Sequence, residues 1–250
     1  VSALVLALVA GAVVGLALGA LGGGGSVLAV PALVYLLGFT PAAATTASLI
    51  IVTATSLTAL YAHARTGRVR WKAGALFAAA GLLPAAVAGA AASRLPQPVL
   101  TVGFAVVAAL AAVRMLRPGR AATGPATGEV RPAKAAGTGA GLGALTGLLG
   151  VGGGFLAVPA LATVLAFEMQ AAVGTSLLVI SANSLASLAT RGATTAGVDW
   201  AVVGPFAGTA VLGAWDGKRL AAKVTGTLLQ RIFAAVLLVV AAAMLIDALT

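Results

Sequence analysis

Two glycine-rich runs carry the most distinctive chemistry in this 250-residue chain: Gly22 to Gly25, followed by Ser26, and the set Gly150, Gly152, Gly153 and Gly154. Each run lies between two apolar stretches, where a long apolar helix would otherwise continue. Glycine lets the backbone turn there and leaves N–H groups uncovered. At the start of the next helix those groups, with the positive end of the helix dipole, favour an anion. Gly24, Gly25, Ser26, Gly152, Gly153 and Gly154 are therefore the expected ligands of a small anion. Close helix packing is the other use of such glycines. Two runs in matched register, each opening a new helix, instead fit the paired broken helices of a transporter.

The stretches that follow add hydroxyl and amide groups. Ser48 and Ser176 occupy equivalent places after the two runs, with Thr175 beside the second. Asn183 comes two turns further on; a buried amide needs partners, and a ligand can be one of them. All four are expected to line the same anion site, although bonding within or between helices would also use them.

Other chemistries lack residues. The five acidic residues are scattered; Glu168, Asp199, Asp216 and Asp247 fall at the ends of apolar stretches, where interfacial roles are expected. His63, the single histidine, sits beside Arg65 and is expected to be solvated. With no cysteine there is no thiolate metal site or disulfide framework. A membrane-embedded lipid enzyme would need clustered carboxylates, histidines or a metal. No metal or other cofactor is therefore expected.

The elements that must hold these groups come from a duplication. Residues 19–33, GALGGGGSVLAVPAL, match residues 147–161, GLLGVGGGFLAVPAL, at eleven of fifteen positions. The offset of 128 continues without a gap through Phe39 and Phe167, Ser48 and Ser176, Thr55 and Asn183, and Ser56 and Ser184. With small gaps it extends to Trp71 and Trp200, and to Arg94-Leu95 and Arg219-Leu220. Each half divides into five apolar segments: roughly 1–20, 26–38, 42–63, 73–93 and 97–116, then 136–150, 154–167, 171–190, 200–216 and 225–247. Residues 1–117 form one repeat and 136–250 the other, joined by a basic linker over 118–135.

Hydrophobic residues make up 61% of the chain and charged residues 8%, against the roughly 25% that a soluble domain needs to cover its surface. Segments of about 20 apolar residues match a bilayer core, and the absence of strict alternation leaves helices as the spanning element. The expectation is an all-α polytopic membrane protein whose helices are broken or re-entrant at the glycines. The net charge of +10 sits between apolar spans and is not interleaved with aromatics, which argues against nucleic acid. Five segments per half invert one half relative to the other. Thirteen of the fifteen Lys and Arg residues then share one side, leaving only Arg94 and Arg191 opposite. The positive-inside rule makes that side the cytoplasm of a cell whose inner membrane holds the chain, with both termini outside.

With its Gly-rich turns running into LAVPAL in both halves, Gly174-Thr175-Ser176-Leu177, and Gly197-Val198-Asp199-Trp200, the chain resembles the sulfite exporter TauE/SafE family of membrane permeases. Thr46-Ala47-Ser48 stands in the first half where Gly-Thr-Ser is typical of that family. The resemblance spans nearly the whole chain. It implies transport of sulfite, a sulfonate, thiosulfate or a related organic anion; an accessory subunit of a sulfur-metabolism system is the alternative. Expected partners are the small anion, the lipid bilayer and, if the chain self-associates, a second copy in a homodimer.

Overall fold

The computed structural model describes residues 2–22, 28–30, 32–92, 97–116, 132–149, 154–191 and 199–249. Among them there is no strand. The described residues include nine α-helices and one π-helical turn. The first half contains α1 (Ser2–Leu21), the π turn (Ala32–Leu36), α2 (Pro41–Ala64), α3 (Trp71–Ala92) and α4 (Gln97–Leu116). The second contains α5 (Pro132–Leu149), α6 (Gly154–Thr163), α7 (Met169–Arg191), α8 (Trp200–Lys223) and α9 (Gly226–Leu249). The linker expected over 118–135 falls mostly outside the described residues.

Local chemistry sets the ends. Thr40 precedes Pro41 at the first turn of α2 and its Oγ1 accepts from the Ala43 amide at 3.4 Å, a capping arrangement in which proline costs nothing because its missing N–H would be unpaired there. Asp199 caps α8 in the same way, accepting from the Ala201 amide at 3.0 Å. Between α2 and α3 the chain turns through Gly67 at φ +68°.

Helices α1, α2, α3, α7 and α9 are each long and apolar enough to cross a membrane. Leu83, Leu212 and Val239 are 73%, 68% and 69% exposed, and such large apolar side chains on an outer surface are at home only against lipid. Trp71 and Trp200, exposed at the starts of α3 and α8, suit the membrane–water boundary.

In lipid, helices gain little from burying apolar surface against one another, so close approach has to supply the attraction. The glycines show where. Gly11, Gly15 and Gly19 of α1 lie directly on the backbone of Phe206, Ala210 and Ala214 of α8, and α8 returns Gly213 and Gly217 against α1. A Cβ has no room at any of the five. Gly139 and Gly143 of α5 lie in the same manner on Phe77 and Gly81 of α3. Gly11 and Gly139, and Gly15 and Gly143, are repeat equivalents; so are Phe77 and Phe206. The first helix of each half therefore packs on the fourth helix of the other, and in both pairs residue numbers rise together, so the partners run in the same direction.

The third helices, α2 and α7, pack on each other in the opposite sense. The Ser181 hydroxyl donates to Ser56 Oγ at 3.0 Å near the middle of the pair, while Thr175, near the start of α7, meets Arg70 just beyond the end of α2. The sequence places the end of the last apolar segment before α9 near residue 216, yet α8 continues to Lys223. Gly217 and Ala221 explain the difference: both are buried, Gly217 directly against α1, and they carry the helix past its apolar stretch.

Candidate functional site

Residues 174–176, near the start of α7, join three parts of the molecule. Gly174 admits the carbonyl oxygen of Arg68; a Cβ there would lie 2.6 Å from it. Thr175 is fully buried, and its Oγ1 accepts from the Arg70 amide at 3.1 Å. That amide precedes the first turn of α3, where helix geometry provides no carbonyl for it. Ser176, also fully buried, lies against Gly22. Gly22 adopts φ +69°, and a Cβ on it would come 2.6 Å from Ser176 Oγ, so both conformation and space demand glycine at this point.

The hydroxyls are already committed. Ser176 donates to the Val173 carbonyl at 2.8 Å and Ser48 to the Thr45 carbonyl at 2.9 Å. Thr53, Thr55 and Thr58 likewise donate to carbonyls of their own helix. This satisfies them where water is absent. An anion accepting from Ser48 or Ser176 has to compete with the helix for that proton.

Ser48 and Ser176 do not meet. Each lies near the start of its helix, and α2 and α7 run antiparallel about the Ser56–Ser181 contact. Ser48 is eight residues before Ser56, and Ser176 five before Ser181, so the two are separated by about 20 Å at 1.5 Å per residue. Thr175 and Ser176 are brought together with Gly22; Ser48 belongs to the other end. Gly154 opens α6. Gly24, Gly25, Ser26, Gly152 and Gly153 lie outside the described residues.

Asn183 lies two residues past the Ser56–Ser181 contact, at the centre of the α2–α7 pair. Its Oδ1 is buried and has no hydrogen-bond partner. Its repeat equivalent, Thr55, closes on the Ile51 carbonyl at 2.7 Å, a local bond that the longer asparagine amide does not make.

At the end where α1, α2 and α8 finish, the structure corrects the reading of His63. It is not solvated but 1% exposed, because its ring turns inward to the end of α1, where Nε2 lies 3.3 Å from the Gly19 carbonyl oxygen. Its Nδ1 is buried without a partner, as is Nη1 of Arg68. Lys218 Nζ donates to the Ala62 carbonyl at 2.6 Å, tying α8 to α2. The Arg68 and Lys218 charges both act on His63 and on each other. Among the described residues the one ion pair is Arg219–Asp216, at 3.5 Å on the exposed side of α8. Sequence alone assigned Arg68 and Lys218 to a loop; the lone signal available was the proximity of His63, Arg65, Arg68 and Arg70 in the chain.

A family model described as sulfite exporter TauE/SafE matches residues 7–244. The chain belongs to the sulfite exporter TauE/SafE family. It is also 33% identical over 249 residues to a probable membrane transporter protein of Xylella fastidiosa strain 9a5c, covering 96% of this chain and 94% of that one. A probable membrane transporter protein of strain Temecula1 / ATCC 700964 is 32% identical over the same length and shares. No solved structure matches. Membership covers both halves and the residue 174–176 junction, and the protein is a multi-pass membrane transporter.

Proposed function

We propose that this transporter is a permease for a small sulfur-containing or organic oxyanion such as sulfite or a sulfonate, with no enzymatic step. The observation that carries the reading is the buried Asn183 Oδ1, left without a hydrogen-bond partner at the centre of the α2–α7 pair. An orphan polar group in a membrane interior is costly, and an intermittent ligand accounts for it. Rotated about its Cγ, the amide presents Nδ2 as a donor to an oxyanion. The family's description as sulfite exporters supports the substrate class.

Inverted halves in the inner membrane supply the route. The equivalent helices α2 and α7 run in opposite directions, and the α1–α8 and α5–α3 pairs repeat one arrangement. A two-fold axis in the membrane plane relates such halves. Ser176 then faces one side and Ser48 the other, giving two half-sites on either side of Asn183. The glycine-rich helix starts, Gly24, Gly25 and Ser26 in one half and Gly152, Gly153 and Gly154 in the other, would serve one half-site each. The charge distribution puts the end of α2 in the cytoplasm and both termini outside.

Purified protein in liposomes loaded with sulfite tests this directly. The parent should release sulfite faster than empty liposomes, and Asn183→Leu should reduce the rate at least about tenfold, the loss expected for one hydrogen bond to a charged ligand. A parent no faster than empty liposomes, or a leucine variant as fast as the parent, would overturn the reading.

A further inference from the structure

We infer that Arg68 and Lys218, set against His63, form an anion-binding mouth at the end of the molecule where α1, α2 and α8 terminate. The ligand class is a small oxyanion, and the mouth is separate from the centre at Asn183. Its sidedness rests on the transport reading above; its existence does not.

Three observations converge. Arg68 Nη1 and His63 Nδ1 are both buried without a hydrogen-bond partner, and the His63 side chain is 1% exposed. A guanidinium N–H left unpaired in a buried position is costly. The Arg68 amide donates to the His63 carbonyl and Lys218 Nζ to the Ala62 carbonyl, so both cations are held at the last turn of α2. The nearby carboxylate of Asp216 is engaged by Arg219 on the exposed face of α8. Two like charges gathered in this way, with the Arg68 Nη1–H buried and unpaired, need an anion to neutralise them.

Backbone contacts hold the mouth in shape. Gly174 seats the Arg68 carbonyl, the Arg68 amide donates to the His63 carbonyl at 3.3 Å, and the Ala62 carbonyl accepts from Lys218. His63 in turn reaches Gly19, three residues before Gly22. The mouth therefore adjoins the break at which α1 ends and Ser176 begins the first half-site. An anion leaving the mouth enters there.

The repeat has one mouth, not two. His63 corresponds to Arg191, but Arg68 corresponds to Val198 and Lys218 to Ser93, so the sequence does not repeat the cation set. A transporter with inverted halves then concentrates anions on one side only. If that side is the cytoplasm, as the charge distribution indicates, the asymmetry favours capture for export.

The full chain in lipid nanodiscs, titrated calorimetrically with sodium sulfite against sodium chloride, tests the mouth. Arg68→Gln and Lys218→Gln should each raise the sulfite Kd roughly ten- to hundredfold, as expected when one charged hydrogen-bond donor is lost. Arg219→Gln, which removes an exposed and already paired cation, should leave it unchanged. Lys218→Arg, which keeps the charge, should bind within about threefold of the parent, a difference below the 1.4 kcal/mol of a tenfold change. Sulfite should raise the melting temperature of the parent more than that of the glutamine variants, and a cooperative transition in each variant separates one that folds and binds weakly from one that fails to fold. Equal Kd values in the parent and both glutamine variants overturn the proposal, as does a parent that binds no sulfite. Sulfite flux that is intact in Arg68→Gln, with binding also intact, removes the mouth and leaves the permease standing. Arg68-dependent binding without flux in the parent removes the permease and leaves the mouth.

Discussion

His63 Nε2 lies 3.3 Å from the carbonyl oxygen of Gly19. This sets the end of α1 level with the end of α2, so the two helices run in the same direction. The start of α2 consequently lies at the opposite end of the molecule from the end of α1. Because Lys218 reaches the neighbouring Ala62 carbonyl, the end of α8 is level as well. One histidine and one lysine thus register three helices at a single end of the molecule.

The glycine seams predict a graded set of stability effects. Gly15→Leu should drive α1 off the Ala210 backbone, and Gly143→Leu should do the same to α5 on Gly81. Each should lower the melting temperature in detergent by about 5 °C or more, since overpacking costs typically 1–3 kcal/mol and 1 kcal/mol is about 2–4 °C at this size. Gly208 has open space around its Cβ position, so Gly208→Ala should move it by less than about 2 °C. Equal effects at all three positions would show that the seams do not hold the halves together.

The Ser56–Ser181 contact predicts a cross-link. The chain contains no cysteine, so Ser56→Cys with Ser181→Cys introduces the only two thiols. Their hydroxyls are 3.0 Å apart, and the sulfurs of a disulfide take up similar positions at about 2.05 Å. Mild oxidation should give a species of faster gel mobility that reductant reverses. Ser48→Cys with Ser176→Cys, about 20 Å apart by helix rise, should give none. Cross-linking of the second pair and not the first would reverse the α2–α7 register.

The helices were legible in the sequence because apolarity and glycine mark them, and α4 begins and ends where the pattern puts it. The duplication was legible too, down to the equivalence of Gly15 with Gly143. How the halves meet was not. Ser48 and Ser176 read as one site because the repeat keeps both, but an antiparallel third-helix pair carries equivalent residues to opposite ends. Lys218 read as loop charge because apolarity stops before it. Its place on a helix depends on small residues, Gly217 and Ala221, packing on α1 and the helices around it, and no local pattern records such a partner. The burial of His63 is hidden for the same reason: the Gly19 carbonyl that its ring reaches lies forty-four residues earlier in the chain.

Inversion of the halves predicts one labelling pattern. Thr66, in the turn after α2, and Ala222, near the end of α8, are both exposed. Cysteine at either position should react with an impermeant thiol reagent from the cytoplasmic face of inverted vesicles, and not in intact cells. The thirteen cations assigned to that face motivate the expectation. Labelling of the two positions from opposite faces would require parallel halves, and would also conflict with the level ends of α2 and α8.

The last prediction concerns what drives transport. Outward movement of a singly charged anion from a cell with a negative interior is downhill by roughly 2.3 kcal/mol per charge per 100 mV. Such movement needs no proton, whereas uptake against the field needs a co-ion and, with it, a carboxylate near the centre. The structure places the two best-situated acids elsewhere. Glu168 is exposed in the turn before α7, and Asp199 is occupied in capping the first turn of α8. At the centre stands Asn183, an amide that carries no charge to neutralise. Proteoliposomes loaded with sulfite should therefore release it when potassium and valinomycin make the interior negative, with pH equal on both sides. The rate should rise with the imposed potential. Glu168→Gln and Asp199→Asn should both retain at least about half of it, since asparagine caps a helix nearly as well as aspartate. A flux that needs a pH gradient, and disappears when either carboxylate is neutralised, would identify a proton-coupled carrier instead.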